Sequence, residues 1–560
     1  MNISKIKNPE FIKKLDNTEL KTLCADIRGY IIKTVSENGG YLSGNLSDVE
    51  ITVALNKCFT DNDKILFNGP DMNYTDRILH GEDMLNDEHY NSLSNCLGIC
   101  ASRDLYHCNY NVVSVINSNS AITRYNVETL NQIGSEKRKM IIVFNDDTSI
   151  DKGIGLVDKF VSNLRNTRTY NSIKDNVKDF IRPQKGGDKI IESIHNIKSN
   201  IKKSVIDEGL FGEYNIDYIG PIDGHNINEL IRAFEIAKTK DYPCVVHCIT
   251  TKGKGYVYAE SCTNDAFTKT MPFDVKTGKK YIEEDENNKY CTNSVSNNLI
   301  ELMKENDDIV VISADNKNET GLNSIFAKYP EKCFDGGNSI ENALGFACGF
   351  SIDGKIPFIA INSSKLTDGY RILTSQIEQL CYPLIIGLVS DNDEDIKILK
   401  DIKNIVVCTA SNTNELKNLI YTATLTNKPF IIRYTNSLIN CKKDKNFEQI
   451  EVGKWQKVAN NNIEDVVIIS NGSDISKLSK TISDNKYKYS LINSLFVNPY
   501  DEKMFNEVLK KAKHIFVFNN GLEEKLLVHA NEMKTKAKIH IVDKADVKTL
   551  FKKIEKVINA

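Results

Sequence analysis

The chain has 560 residues, of which 41% are hydrophobic and 26% are charged, which is the composition of a soluble globular protein with several domains. Its 72 Lys and Arg residues nearly balance 75 Asp and Glu residues, and a net charge of −3 disfavours nucleic acid or an anionic membrane as partner. The first 20 residues lack the apolar core of a signal peptide, and no run of about 18 apolar residues occurs. We therefore expect a cytoplasmic protein.

The chain contains 14 cysteines, scattered along its length without a CxxC pair. Cys96 with Cys100 and Cys244 with Cys248 come nearest to such a pair, and no second pair with histidine completes a zinc-like set. The spacing favours reduced and mostly buried thiols over a metal site.

Short apolar, β-branched runs recur along the chain between longer amphipathic segments. Because these runs are continuous rather than alternating, they predict strands that are buried on both faces, as in parallel sheets covered by helices. The fold class is therefore α/β. In chain order, the predicted strands are NVVSVINS from Asn111, MIIVFND from Met140, PCVVHCIT from Pro243, DIVVISAD from Asp308, IPFIAIN from Ile356, YPLIIGLVS from Tyr382, NIVVCTAS from Asn404, PFIIRYT from Pro429, DVVIISNGS from Asp465, HIFVFNN from His514 and KIHIVDK from Lys538.

Two polar stretches divide these strands into three groups. The charged segment Asp274 to Ser294 is a predicted linker, and a second break falls within Asn436 to Trp455. The sequence therefore predicts domains at residues 1–275, 290–440 and 441–560, each with a mostly parallel sheet flanked by helices.

Three stretches are more specific than any periodicity. They are GGYLSGNLSDVEITVALNKCF from Gly39, LFGEYNIDYIGPIDGHNINELIRAF from Leu210 and HCITTKGKGYVYAE from His247. The chain closely resembles the 1-deoxy-D-xylulose-5-phosphate synthases, which are transketolase-like enzymes, and the resemblance extends through FDGGNSIENALGFACG from Phe334 and LFVNPYDEKMF from Leu495.

The resemblance implies a thiamine diphosphate domain, a pyrimidine-binding domain and a C-terminal transketolase domain, usually in a homodimer. Its enzymes condense pyruvate with glyceraldehyde 3-phosphate at the start of isoprenoid precursor synthesis, using thiamine diphosphate and Mg²⁺. Since a fold does not specify a function, the resemblance implies this activity only where the chain keeps the family's functional residues.

The family binds the cofactor metal through a Gly-Asp-Gly motif and a later Asn-rich motif, which suits the preference of Mg²⁺ for oxygen ligands. The first motif aligns with Asn117, Ser118 and Asn119, so its aspartate is absent. The second aligns with Asn145, Asp146 and Asp147. Asp147 either compensates as a metal ligand or is a polar residue at a strand end, and the pattern favours the latter. Both outcomes stay open for the metal and the cofactor.

The family forms the reactive ylid with a buried glutamate that exchanges a proton with the aminopyrimidine ring. An ungapped alignment places Ile340 at that position and Glu341 one residue later. One residue rotates a helical side chain by about 100°, so we expect Glu341 to point elsewhere unless the helix shifts locally. The other interpretation of Glu341 is a carboxylate that faces the positive end of the helix dipole.

The substrate-handling residues of the family are also replaced. Its three channel histidines align with Tyr41, with Asp71 between Pro70 and Met72, and with Thr268. The segment DNDEDIKILKDIKNIVV from Asp391 leaves no room for the family's substrate loop. Of the phosphate-binding Arg-Tyr-Pro-Arg-Gly motif only Arg433 keeps its arginine, and Asn436 cannot make a bidentate phosphate contact.

The family's metal motif, proton-exchanging glutamate, channel histidines, substrate loop and second phosphate-binding arginine are all replaced, while the scaffold signatures are retained. The sequence therefore predicts a degenerate family member without catalysis that serves as a scaffold, partner or regulator, in a homodimer or a heterodimer with an intact paralogue. The alternative is an active synthase in which Asp147 and Glu341 have taken over. A third interpretation, a different reaction on the same scaffold, finds no new cluster of His, Cys or carboxylates.

Overall fold

The chain divides into two units, Met1–Ile282 and Glu283–Ala560. The boundary falls inside the segment predicted as a linker, while the three-domain division stays a prediction. The computed structural model describes residues 3–85, 92–117, 124–147, 211–212, 214–262, 267–281, 288–314, 316–337, 339–380, 382–390, 394–435, 438–440, 446–460, 462–543 and 545–558.

The first unit is built on a five-stranded parallel sheet in the order β2-β3-β4-β6-β5. The central strands are apolar and buried on both faces, as continuous β-branched runs require. A short antiparallel pair, β1 with β7, lies outside this sheet. The strands are β1 (Gly40–Tyr41), β2 (Lys64–Phe67), β3 (Val112–Asn117), β4 (Ile141–Asp146), β5 (Asp217–Asp223), β6 (Cys244–Ile249) and β7 (Lys269–Thr270).

Amphipathic helices cover this sheet with their apolar stripes. In the helix Ile227–Lys238, for example, Leu230 and Phe234 lie four residues apart on one face and are both buried. The helices are α1 (Asn17–Asn38), α2 (Ser43–Ser47), α3 (Val49–Cys58), α4 (Tyr74–His80), α5 (Ser92–Leu105), α6 (Arg124–Glu136), α7 (Ile227–Lys238) and α8 (Val257–Glu260).

Helix α1 begins with a capping box. The Asp16 carboxylate accepts from the backbone N–H groups of Thr18 (2.8 Å) and Glu19 (2.9 Å), and the Glu19 carboxylate accepts from the Asp16 N–H (2.8 Å). Asp16→Ala is expected to lower the free energy of unfolding by about 1 kcal/mol, because two amide groups lose their acceptor. Urea unfolding checks this, with the exposed Lys21→Ala of the same helix expected to stay near wild type. Equal stability of the two variants would contradict the capping role.

The second unit contains a seven-stranded sheet in the order β10-β9-β11-β12-β14-β13-β19 and a five-stranded sheet in the order β16-β18-β17-β20-β21. Both are parallel except at β19 and β16, which pair antiparallel with β13 and β18. A further antiparallel pair joins β15 to β8. The strands are β8 (Asn288–Tyr290), β9 (Ile309–Ser313), β10 (Cys333–Asp335), β11 (Ile356–Asn362), β12 (Leu384–Val389), β13 (Val406–Thr409), β14 (Pro429–Tyr434), β15 (Leu438–Asn440), β16 (Gln456–Ala459), β17 (Val466–Ser470), β18 (Tyr489–Asn493), β19 (Phe496–Asn498), β20 (His514–Phe518) and β21 (Lys538–Val542).

One apolar core in this unit combines residues of both larger sheets, including Ile340 and Trp455. The helices that enclose the sheets are α9 (Cys291–Glu305), α10 (Lys317–Thr320), α11 (Asn323–Lys328), α12 (Ile340–Ile352), α13 (Leu366–Ser375), α14 (Glu394–Leu399), α15 (Thr413–Thr424), α16 (Asp474–Asp484), α17 (Glu502–Lys511), α18 (Glu523–Glu532) and α19 (Val547–Ile558).

The α/β prediction is confirmed, and all eleven predicted runs contain strands. Sequence reasoning missed β2, β5, β16 and β18 among the described strands of four or more residues. Within the ranges that the structure describes, no helix is both long and apolar enough to cross a membrane.

Candidate functional site

In the first unit, several predicted site residues meet at the carboxyl edge of the parallel sheet. Asn117 ends β3 and lies opposite Asn145 of β4, so the two motifs become neighbours through strand register. Asp147 follows β4 directly and is 8% exposed. Ser118 and Asn119 lie outside the described residues. This edge is where α/β proteins usually place ligands.

Asn145 is buried and its side-chain amide is engaged on both sides. Its Nδ2 group donates to the Asp48 carboxylate and lies 3.5 Å from the Ser47 hydroxyl, while its Oδ1 atom accepts from the Thr250 hydroxyl at 2.6 Å. Asn145 therefore ties β4 to the start of α3 and to the end of β6.

Three carboxylates at this edge, those of Asp48, Asp71 and Asp147, interact through their charges without being grouped closely enough to form a metal site. Burial, together with the charges of Asp71 and Asp147, raises the pKa of Asp48 well above its usual value, against the hydrogen bond from Asn145. Burial and the Asp147 charge likewise raise the pKa of Asp71 to about 6, although Asn117 donates to it at 2.9 Å. Asp48 and Asp71 therefore hold their protons more strongly than isolated carboxylates do.

Asp48 and Lys252 were missed by the sequence analysis. Asp48 directly follows α2 in the signature that begins at Gly39, and a carboxylate in such a mostly buried stretch was the available signal. Lys252 follows β6, and its positive charge lowers the pKa of Asp71. Neither contact is visible from spacing, because each joins residues far apart in the chain.

Tyr41 pairs with Lys269 in the β1–β7 ladder, and Thr268 directly precedes that pair. The Tyr41 N–H donates to the Tyr74 hydroxyl (3.1 Å), and the Thr268 carbonyl accepts from the Leu42 N–H (3.1 Å). The Lys269 ammonium lies 5.0 Å from the centre of the Tyr41 ring. The two positions are thus neighbours, with a phenol and a cation–π contact in place of imidazoles.

Two histidines of the scaffold signatures are held within the fold. His247 is fully buried between the Tyr218 hydroxyl, 2.6 Å from Nδ1, and the Asp146 carboxylate, 3.5 Å from Nε2. His225 accepts from the Thr251 N–H (2.8 Å) and contacts the Glu50 carboxylate (3.1 Å). Both imidazoles thus join separate elements of the first unit.

In the second unit, Ile340 is the first residue of α12 and is 2% exposed. It belongs to the apolar core, where a Cβ atom added to Gly369 of α13 would lie 2.9 Å from the Ile340 Cγ2 atom and 2.7 Å from Leu344. Ile340 therefore fills the close contact between α12 and α13.

Glu341 is half-buried in the first turn of α12. Its charge helps burial to raise the pKa of Asp368 on α13, while Lys365 opposes that rise. Glu341 therefore lies among the polar residues of α13, whereas Ile340 enters the core. The adjacent residues have different surroundings, as one residue of helix rotation requires.

Arg433 is buried near the end of β14. Its guanidinium forms a bidentate pair with Asp395 through Nε–Oδ2 (2.9 Å) and Nη2–Oδ1 (2.7 Å). Its Nη1 group donates to the Thr409 hydroxyl (2.9 Å), and Nη2 lies 3.4 Å from the Ser390 hydroxyl. Asn436 and Ser437 lie outside the described residues. An internal carboxylate thus faces the predicted phosphate-binding arginine.

The chain is similar to proteins of one enzyme family. A family model described as 1-deoxy-D-xylulose-5-phosphate synthase matches residues 3–88 and 81–250. A protein of that name from Clostridium acetobutylicum is 30% identical over 94% of this chain and 91% of its own length. The chain belongs to the 1-deoxy-D-xylulose-5-phosphate synthase family. A family protein from Caldanaerobacter subterraneus is 29% identical over 98% of this chain and 96% of its own.

Among solved structures, a transketolase from Campylobacter jejuni is similar over 95% of this chain and 96% of its own, with 12% identity and a TM-score of 0.37. Enzymes of the 1-deoxy-D-xylulose-5-phosphate synthase family depend on thiamine diphosphate and a divalent metal.

Two described residues, Asn145 and Ile340, do not fit the family's metal and cofactor chemistry, whereas Asp147 keeps an oxygen donor at the second motif. Mg²⁺ requires near-octahedral oxygen ligands, whereas Asn145 is buried and hydrogen-bonded at both ends of its amide. Across the part of the chain that the structure describes, no three His, Cys, Asp or Glu side chains are grouped to hold a metal ion. Ile340 offers no proton to exchange with an aminopyrimidine ring.

Proposed function

We propose that this chain is a member of the deoxyxylulose phosphate synthase family that has lost catalysis and acts by binding, as a scaffold, partner or regulator. The observation that carries the proposal is Ile340, an apolar core residue at the position of the family's proton-exchanging glutamate. The internal pairing of Arg433 with Asp395 supports it. The partner is a second copy of the chain or an intact paralogue, in the cytoplasm.

The second candidate is an active synthase that condenses pyruvate with glyceraldehyde 3-phosphate. The comparisons favour this candidate over the first, because the relatives are named synthases and match more than nine-tenths of the chain. It requires Asp147 to ligate the metal and Glu341 to exchange the proton. The half-buried position of Glu341 is the feature of the structure that suits it.

Calorimetry with thiamine diphosphate and Mg²⁺, followed by turnover of pyruvate and glyceraldehyde 3-phosphate, separates the two candidates. We expect no saturable heat and no product. Binding on the order of micromolar or tighter, lost in Asp147→Ala, together with turnover lost in Glu341→Gln, would establish the second candidate instead. The exposed Asp61→Asn variant is the matched control for the loss of one carboxylate in the first unit.

A further inference from the structure

Charge is divided unequally along the chain, which the whole-chain net charge of −3 conceals. Residues 441–560 contain 22 Lys and no Arg against 16 Asp and Glu, an excess of six positive charges. The remaining residues therefore carry an excess of nine negative charges. Charge asymmetry of this kind indicates a polyanionic partner for the positive part of the chain, whatever the total charge is.

A stripe of three lysines runs along the exposed side of α19. Phe551 and Ile554 bury the apolar side of this helix in the core, while Lys548, Lys552 and Lys556 recur every four residues on the opposite side. Like charges at this spacing destabilise a helix by about 0.2–0.5 kcal/mol per pair. The stripe is therefore unfavourable for the isolated helix, and a bound anion would relieve the repulsion.

The carboxylates beside the stripe do not neutralise it. Asp546, which precedes the helix, accepts from the Thr549 N–H (2.7 Å), and Glu555 accepts from the Tyr487 hydroxyl (3.1 Å). Among the residues that the structure describes, no carboxylate forms an ion pair with any lysine of the stripe. The three ammonium groups therefore present their charge to solvent.

The strand next to α19 extends the positive surface. β21 is the outer strand of the five-stranded sheet, and its Lys538 is exposed. Burial lowers the pKa of His540 in this strand, and the charges of His514, Lys553 and Lys538 lower it further. Lys553 reaches from α19 to the Ile541 carbonyl (2.6 Å), so the helix and the strand form one continuous basic face. The basic face consists of Lys538, Lys548, Lys552, Lys553 and Lys556.

The chemistry of the basic face favours a polymer of phosphates over a folded protein or a bilayer. All exposed residues of α19 before Ile558 are polar or charged, so the helix offers no apolar anchor for a protein or for lipid. Lysine ammonium groups contact phosphates as point charges.

Aromatic rings lie on the flank of α19 beside these lysines. The half-buried Tyr487 stacks on Phe551 with 5.3 Å between ring centres and on Tyr489 with 4.9 Å. Positive charges that track a backbone, next to rings on which bases stack, are the two components of single-stranded nucleic acid binding.

We propose that the basic face binds single-stranded nucleic acid through its phosphates, without base specificity. The inference goes beyond the proposed function, since it involves neither the cofactor site nor the loss of catalysis. Lysines that only protect an edge strand from aggregation need no partner, and that role predicts a different response to their removal.

The test uses the full chain and a fluorescein-labelled oligouridylate of about 12 nucleotides, with binding followed by fluorescence anisotropy at several salt concentrations. We expect a dissociation constant on the order of 10⁻⁵ M at low salt, with each lysine–phosphate contact contributing about −0.7 to the slope of log K against log salt. The variant Lys548→Gln/Lys552→Gln/Lys556→Gln should bind at least about tenfold more weakly, with a slope smaller by about 2.

A matched control removes the same charge elsewhere in the second unit. Lys304, Lys332 and Lys355 are each paired with a carboxylate, and Lys304→Gln/Lys332→Gln/Lys355→Gln should keep the affinity and the slope of the wild type. Thermal unfolding of both triple variants shows that they are folded, because surface substitutions of this kind change stability by less than about 0.5 kcal/mol each.

Three results would overturn the proposal. An equal loss in both triple variants, or none in the first, would mean that the basic face is not the binding surface. Binding of polyglutamate or of phosphatidylserine vesicles as tightly as the oligouridylate would point to an acidic protein or a membrane instead. Aggregation of the first variant, with unchanged oligouridylate affinity in its monomeric fraction, would assign these lysines to protection of the edge strand.

Discussion

Ile340→Glu is expected to lower the free energy of unfolding of the second unit by about 3–5 kcal/mol and to confer no synthase turnover. The variant places a carboxylate in the apolar core between α12 and α13, against Leu344 and the close approach of Gly369. The carboxylates of Glu341 and Asp368 lie on the same two helices and add like charge. Restoring the family's residue therefore does not restore its surroundings.

The pH dependence of Ile340→Glu is a second part of this result. Burial raises the pKa of the new carboxyl in the folded state, so the folded variant binds a proton more tightly than the unfolded chain. Its stability is therefore greatest at low pH and is lost as the pH rises through the folded pKa. Fluorescence of Trp455, the single tryptophan of the chain and a member of the same core, reports urea unfolding at pH 5 and pH 8.

Two further variants at this position serve as controls. Ile340→Leu conserves volume and should cost less than about 1.5 kcal/mol, whereas Ile340→Gln separates polarity from charge. An Ile340→Glu variant as stable as wild type, with metal-dependent thiamine diphosphate binding, would mean that the position still belongs to a functional cleft. That result would support the active synthase.

The fold was predictable because parallel strands carry a strong local signal. The run at Val112–Asn117 and the run at Ile141–Asp146 are apolar on both faces, which excludes a strand with one solvated face. The strand Asp217–Asp223 was missed because its Gly and Pro residues are typical of turns, and tertiary pairing with β6 overrides that preference. Local propensity therefore sufficed for the central strands and failed for this one.

The candidate site was predictable only in part. The family resemblance singled out Asn117, Asn145 and Asp147, and the structure places them at one edge of the parallel sheet. Asp48 and Asp395 were not found in this way, since they reach Asn145 and Arg433 through contacts between elements far apart in sequence. Such partners depend on how helices pack against sheets, which periodicity does not specify.

Asp71→Asn is expected to raise the free energy of unfolding of the first unit by about 1–3 kcal/mol at pH 8. The folded pKa of Asp71, about 6, lies above its ordinary value of 3.8, so the folded state binds the proton more tightly than the unfolded state. The contribution of Asp71 is therefore most favourable below about pH 4 and is lost as the pH rises through 6. The amide keeps an acceptor for Asn117 and removes the repulsion from Asp147.

Unfolding of the first unit is followed by circular dichroism at pH 5 and pH 8, because Trp455 lies in the second unit. The exposed Asp61→Asn should change stability by less than about 0.5 kcal/mol at either pH. Three neighbouring carboxylates repel one another when no cation lies between them, so removal of one charge should raise the free energy of unfolding. If Asp71→Asn is instead less stable than wild type at pH 8 only when Mg²⁺ is present, the carboxylates of Asp48, Asp71 and Asp147 bind a cation. That result would contradict the proposed loss of catalysis and would favour a working cofactor site.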